Sequence, residues 1–134
     1  MNGTEVPGTK FVLDTNAVIT LIKGLPVSAA VSEKLRRSKQ FVSVITRIEL
    51  FAYSDLSMDE EMKIRRLFKT CKVIPLNQKV EREAISLRRD GKPKPKTPDA
   101  VIAATAVALG ASLITGDGGL LELIWPGLQT VSMD

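Results

Sequence analysis

The chain contains no histidine. That absence removes imidazole as a general acid or base, rules out Ser-His-Asp triads and takes away the commonest transition-metal ligand. Any catalysis must therefore run on carboxylates. Cysteine is nearly absent as well. Cys71 has no second cysteine for an internal disulfide or a zinc site, and no histidine to activate it, so it is expected to be buried filler. No uninterrupted apolar run is long enough to span a bilayer, and Met1–Pro7 lacks the basic and then apolar layout of a signal peptide. The expectation is a soluble protein of the cytoplasm. Internal repeats and low-complexity tracts are absent too.

What is present fits one domain over residues 1–134. Of the 134 residues, 44% are hydrophobic and 25% charged, enough to build a core unaided. Nineteen Lys and Arg against fifteen Asp and Glu leave a net charge of +4. That balance suits a polyanionic substrate held by surface cations around an acidic, metal-filled centre, although many ordinary domains carry as much charge.

The chain is organised around Phe11-Val12-Leu13-Asp14-Thr15-Asn16, an apolar run that ends in an acid. Such a run reads as a buried strand, and ligands collect at the carboxyl ends of strands in open α/β sheets. The pattern recurs where Ala111-Ser112-Leu113-Ile114-Thr115 runs into Gly116-Asp117-Gly118-Gly119. If these two strands are parallel neighbours, Asp14 and Asp117 face one crevice.

Between them, strands and helices alternate. Ala17–Ile22 is expected to be a short helix stopped by Gly24 and Pro26, with Pro26 in the first turn of a second helix that carries Val27, Ala30, Val31 and Leu35 on one face. Phe41–Val44 reads as a strand and Thr46–Ala52 as the helix after it. Ser57 and Glu60 form a capping-box pattern ahead of a helix to Thr70. Lys72–Leu76 reads as an edge strand because of Pro75, followed by a helix from Gln78 to Arg89 that ends near Gly91. Gly91–Pro98 is a basic loop broken by prolines. Thr97 and Pro98 then open a helix, Asp99–Leu109, that is apolar on nearly every side and closed by Gly110. A helical turn over Leu120–Trp125 and a fifth edge strand over Leu128–Val131 complete the chain. Alternation of this kind gives an α/β fold with a parallel sheet and helices on both faces.

Four acids, Asp14, Glu49, Asp99 and Asp117, fall just after a strand or at the start of a helix. Each also has a structural reading. Asp14 suits an Asx turn or N-cap, Glu49 a capping box with Thr46, Asp99 the favourable end of a helix dipole, and Asp117 a turn. All four readings place them at the same end of the sheet. Carboxylates gathered within about 4 to 6 Å raise one another's pKa unless a cation intervenes, and an all-oxygen donor set suits Mg²⁺ or Mn²⁺. Asn16 and Thr115 offer neutral oxygens to orient a water or hold a carboxylate, or else to make turn and ladder hydrogen bonds. Lys92, Lys94 and Lys96 precede Asp99 and suit phosphate contacts at the rim, or form an ordinary solvated loop. Arg47 is a further candidate for phosphate or for pairing with Glu49.

The motifs Phe-Val-Leu-Asp14-Thr-Asn16, Thr46-Arg47-Ile-Glu49-Leu, Pro98-Asp99-Ala-Val-Ile-Ala-Ala-Thr and Leu-Ile-Thr115-Gly-Asp117, in that order, resemble those of the PIN-domain ribonucleases, specifically VapC-type toxins of toxin–antitoxin pairs. The resemblance covers nearly the whole chain. It implies a three-layer α/β/α fold with strand order 3-2-1-4-5, a homodimer, a Mg²⁺ or Mn²⁺ site at Asp14, Glu49, Asp99 and Asp117, and endonucleolytic cleavage of RNA by metal-activated water. It also implies a small VapB-type antitoxin whose segment lies in a groove leading to the acids. Three other readings compete: a PIN-domain nuclease that processes RNA without an antitoxin, a non-catalytic nucleic-acid-binding module, and a phosphoacceptor receiver domain. The receiver domain needs an acidic pair after the first strand and a lysine after the last, and neither is present.

Overall fold

The computed structural model describes residues 9–134, and the Met1–Pro7 reading lies outside them. Five strands form one parallel sheet in the order β3-β2-β1-β4-β5: β1 (Lys10–Leu13), β2 (Lys39–Ser43), β3 (Lys72–Ile74), β4 (Ser112–Thr115) and β5 (Gln129–Ser132). The expected strand order and the edge position of β3 are both found. Pairing of β1 with β4 sets Leu13 beside Ile114, so the chain leaves the sheet at Asp14 and at Gly116 on neighbouring strands.

Both faces of the sheet are covered, which is why the central strands read as continuous apolar runs instead of alternating ones. Val12, Phe41 and Leu113 point into one core, with α5 (Gln78–Asp90) and α6 (Thr97–Leu109). Leu13, Val42 and Ile114 point into the other, with α1 (Thr15–Ile22), α2 (Ala29–Arg36) and α4 (Met58–Thr70). In α6 every residue from Ala100 to Ala106 is buried, as expected of a helix apolar all round. Gly110 closes it with φ of 67°, a left-handed conformation that glycine adopts without a Cβ penalty. The capping box of Ser57 and Glu60 is present. Cys71 is buried, and burial pushes its thiol up to about 11, consistent with an inert filler. Among the described residues no helix is long and apolar enough to cross a membrane.

Five helix starts differ from expectation. Helix α1 opens at Thr15 and the turn expected from Leu120 opens at Gly118, each two residues early. Pro26 lies before α2, which begins at Ala29 under a cap from Ser28, and Ala30 is exposed. The serine hydroxyl captures the Val31 amide, so the proline serves the approach and not the first turn. Helix α3 (Val44–Phe51) begins two residues earlier than expected, capped by Ser43. Thr46 is therefore inside the helix and fully buried, and the capping-box reading of Glu49 falls. Lys96, not Thr97, is the N-cap residue of α6, and it makes no side-chain cap.

Candidate active site

A groove of about 450 Å³ opens at the carboxyl end of the sheet, and Asp14, Glu49, Asp99 and Asp117 all line it. They arrive from four separate segments: the end of β1, the second turn of α3, the first turn of α6, and the cap of α7 (Gly118–Glu122). Asp14 and Asp117 fill their structural roles as well. One carboxylate oxygen of Asp14 accepts from the Ala17 amide at 2.6 Å, and one of Asp117 accepts from the Gly119 amide at 2.8 Å. Capping and site formation are compatible here because a cap uses one oxygen and leaves the other lone pairs available.

Asp14 is the most confined of the four, 3% exposed. Burial raises its pKa from 3.8 to about 6. Hydrogen bonds from Thr115 and Ala17 oppose the rise, while the charges of Asp117 and Asp99 add to it. Asp99 is also raised, first by burial and then by Asp117 and Glu49, with Lys96 acting against. The acids therefore sense one another.

Thr115 works between two of them. Its hydroxyl donates to the second oxygen of Asp14 and accepts from the Asp117 amide at 2.8 Å. Thr115→Val is expected to cost about 1–3 kcal/mol, the penalty for a buried acceptor left without its donor. It should also move the Asp14 titration further up, because the lost bond favours the charged form. Urea unfolding and carboxylate NMR titration of the variant check both.

Asn16 is exposed in the groove wall, and its side-chain oxygen lies over Gly116, where an added Cβ would come within 2.5 Å of it. Arg47 is exposed and lies outside that wall, as do Lys92 and Lys94. The Lys92 backbone instead bridges to Ile124. Lys96 also lies outside the wall, but within electrostatic reach of Asp99.

Two features escaped sequence reasoning. Thr15 donates to Glu49 at 2.5 Å, and its oxygen is paired with the Thr46 hydroxyl at 3.2 Å, which ties α1 to α3 and fixes the orientation of Glu49. Thr46, on the same buried face of α3 as Leu50, was the available signal. Among the described residues, Lys23 is the one cation in the groove wall, 3.0 Å from Glu60. Nothing in the sequence links positions 23 and 60. Beyond the acids the groove becomes apolar, lined by Ile19, Ile22, Leu50, Tyr53, Leu56 and Ile64.

The PIN-domain family model matches residues 11–124. The chain belongs to the PIN-domain family. Curated proteins give no significant sequence match to it. Among solved structures, this PIN domain is similar to a chain of VapBC2 from Rickettsia felis bound to a promoter DNA fragment. The TM-score is 0.76 at 20% identity, covering 94% of this chain and 100% of that one. It is also similar to a chain of VapBC-1 from nontypeable Haemophilus influenzae, with TM-score 0.68 at 26% identity, covering 93% and 98%. A chain of a toxin–antitoxin complex from Klebsiella pneumoniae gives TM-score 0.67 at 27% identity, covering 87% and 93%.

Proposed function

We propose that this PIN domain is a metal-dependent endoribonuclease, the VapC-type toxin of a type II toxin–antitoxin pair. The observation that carries the reading is the meeting of Asp14, Glu49, Asp99 and Asp117 in one groove. Similarity to chains of toxin–antitoxin complexes supports the biological role.

The donor set suits a hard cation. Four carboxylates without histidine or thiolate match Mg²⁺ or Mn²⁺, and an ion among them would offset the burial and, after it, the mutual repulsion that raise Asp14 and Asp99. Among the described residues no three acids yet stand close enough to ligate one ion, so binding requires side-chain rotation. Asp14 is the fixed point for that closure, with each oxygen already held by one hydrogen bond. When bound, the ion supplies Lewis-acid polarisation of the phosphodiester and lowers the pKa of water for in-line attack. The residues themselves orient that ion, with Thr115 steadying Asp14 and Thr15 steadying Glu49. Asn16, exposed at the mouth of the groove, is placed to contact substrate or water. Lys96, and more remotely Arg47, Lys92 and Lys94, supply positive charge around it for RNA phosphates.

The apolar half of the groove fits the other partner. A hydrophobic segment of a small VapB-type antitoxin laid along Ile19, Ile22 and Tyr53 would cover the route to the acids and block RNA. A homodimer in the cytoplasm completes the reading.

The test is cleavage of a mixed RNA pool by purified protein with Mg²⁺, Mn²⁺ or chelator, beside Asp99→Asn. Cutting that needs the ion and is lost in the variant is expected. Folded protein that cuts nothing with either ion, yet still binds RNA, would favour the non-catalytic module.

A further inference from the structure

A second groove, of about 790 Å³, lies at the opposite, amino-terminal edge of the sheet, and its cations follow from strand register. Lys10 and Lys39 are direct partners on β1 and β2, while Lys72 on β3 is the partner of Phe41, two residues beyond Lys39. Side chains alternate along a strand and register partners share a face, so all three lysines stand on one face of the sheet. Arg36, at the end of α2, adds a fourth cation, although it is paired with Glu33. Lys10, Lys39 and Lys72 make no ion pair among the described residues, and no acid among those residues lines this groove.

Ser38 is the second observation. Its hydroxyl oxygen is the one buried side-chain polar atom among the described residues without a hydrogen-bond partner, and Ser38 lines this same groove. Native structures leave few such groups, because each costs about 1–3 kcal/mol. Compensation of helix ends explains part of the positive charge, since α2, α4 and α6 all finish at this edge. It does not explain the unpartnered hydroxyl, nor the lack of an acid among the described residues that line the groove.

We propose that this groove is a second nucleic-acid-binding surface, which holds the phosphodiester backbone of single-stranded RNA away from the point of cleavage. The choice of RNA rests on the ribonuclease reading. The shape of the charge argues for a polymer. Lys10 and Lys39 stand about 4.8 Å apart on adjacent strands, and Lys72 lies one strand over and about 7 Å further along, so the three form a staggered line that follows a chain of phosphates better than it converges on one. Lys10 and Asp14 are four residues apart on one extended segment, about 13 Å, so the two grooves can share a single RNA strand that passes over the edge of the domain.

The test measures binding of labelled single-stranded RNA in chelator, where no cleavage intervenes. Wild-type protein is compared with Lys10→Ala/Lys39→Ala/Lys72→Ala, using oligonucleotides of about 4 and about 16 residues. For the longer RNA the triple variant is expected to weaken binding at least about tenfold and to flatten the log Kd against log salt slope by about 2, near 0.7 per lost phosphate contact. Binding of the shorter RNA should change little. A triple Lys→Arg variant should keep the wild-type slope, and Lys→Gln replaces alanine if that variant does not fold. Unchanged affinity and slope for the longer RNA would overturn the proposal, as would its displacement from wild-type protein by millimolar inorganic phosphate, which indicates a single-anion pocket. Cleavage is read separately. A protein that binds through these lysines but cuts no RNA retains this groove and loses the ribonuclease reading, and the reverse result does the opposite.

Discussion

Replacing Asp14 with asparagine is expected to stabilise the ion-free protein at neutral pH by about 1–3 kcal/mol while lowering RNA cleavage roughly thousandfold. Burial lifts the Asp14 pKa from 3.8 to about 6, so the folded state holds this proton more tightly than the unfolded chain does. Between those two values the native state binds the extra proton. Stability therefore falls as pH rises through the window and levels off above it. A shift of about two units corresponds to roughly 3 kcal/mol at most, at 1.36 kcal/mol per unit. Asparagine keeps the shape and sheds the charge. Its carbonyl can still accept from the Ala17 amide, and its amide can face the Thr115 hydroxyl. Urea midpoints in chelator, taken from pH 3.5 to 8, check the sign: the variant's advantage should be absent at the acid end and full above about pH 6. A variant less stable than wild type at neutral pH would show that the carboxylate is better accommodated than its burial indicates. The opposed effects on stability and activity are what a site assembled against electrostatic repulsion should give.

Ile102→Ala should act in the other direction, lowering stability by about 2–5 kcal/mol. Ile102 is 2% exposed, lies one turn along α6 from Asp99, and forms part of both the core under the sheet and the wall of the acid groove. Truncation removes three carbons from a packed site. Because the cavity borders the groove, water can enter it. Burial is the largest cause of the raised Asp14 pKa, so hydration should bring that group back toward its ordinary value. Denaturant midpoints measure the first effect, and the shrinking pH dependence of stability measures the second. A loss below about 1 kcal/mol would mean that α6 settles into the gap.

Local pattern carried the sheet far because of how it is covered. Val12 and Leu13 are consecutive, face opposite cores, and are both fully buried, so the strand had to be apolar throughout. The same run stops at Asp14 because the sheet stops there. Helix starts were less legible. Ser43 and Thr46 both offer cap hydroxyls within three residues, and the choice between them depends on where β2 ends, which is set by its pairing with β1 and β3.

Residue order alone specifies the α/β class, the alternation of strands and helices, and four acids that fall near strand ends and early in helices. It could do so because hydrophobic period and chain breakers are local properties, written into adjacent residues. Which polar groups meet follows from packing at long range. Thr15 reaches Glu49 across 34 positions, Thr115 reaches Asp14 across 101, and Lys23 pairs with Glu60 across 37. Lys10, Lys39 and Lys72 share a face only through register. Such meetings are fixed by how strands order and helices pack, and that arrangement is set by burying the two cores as a whole, with no signal at the individual polar residues.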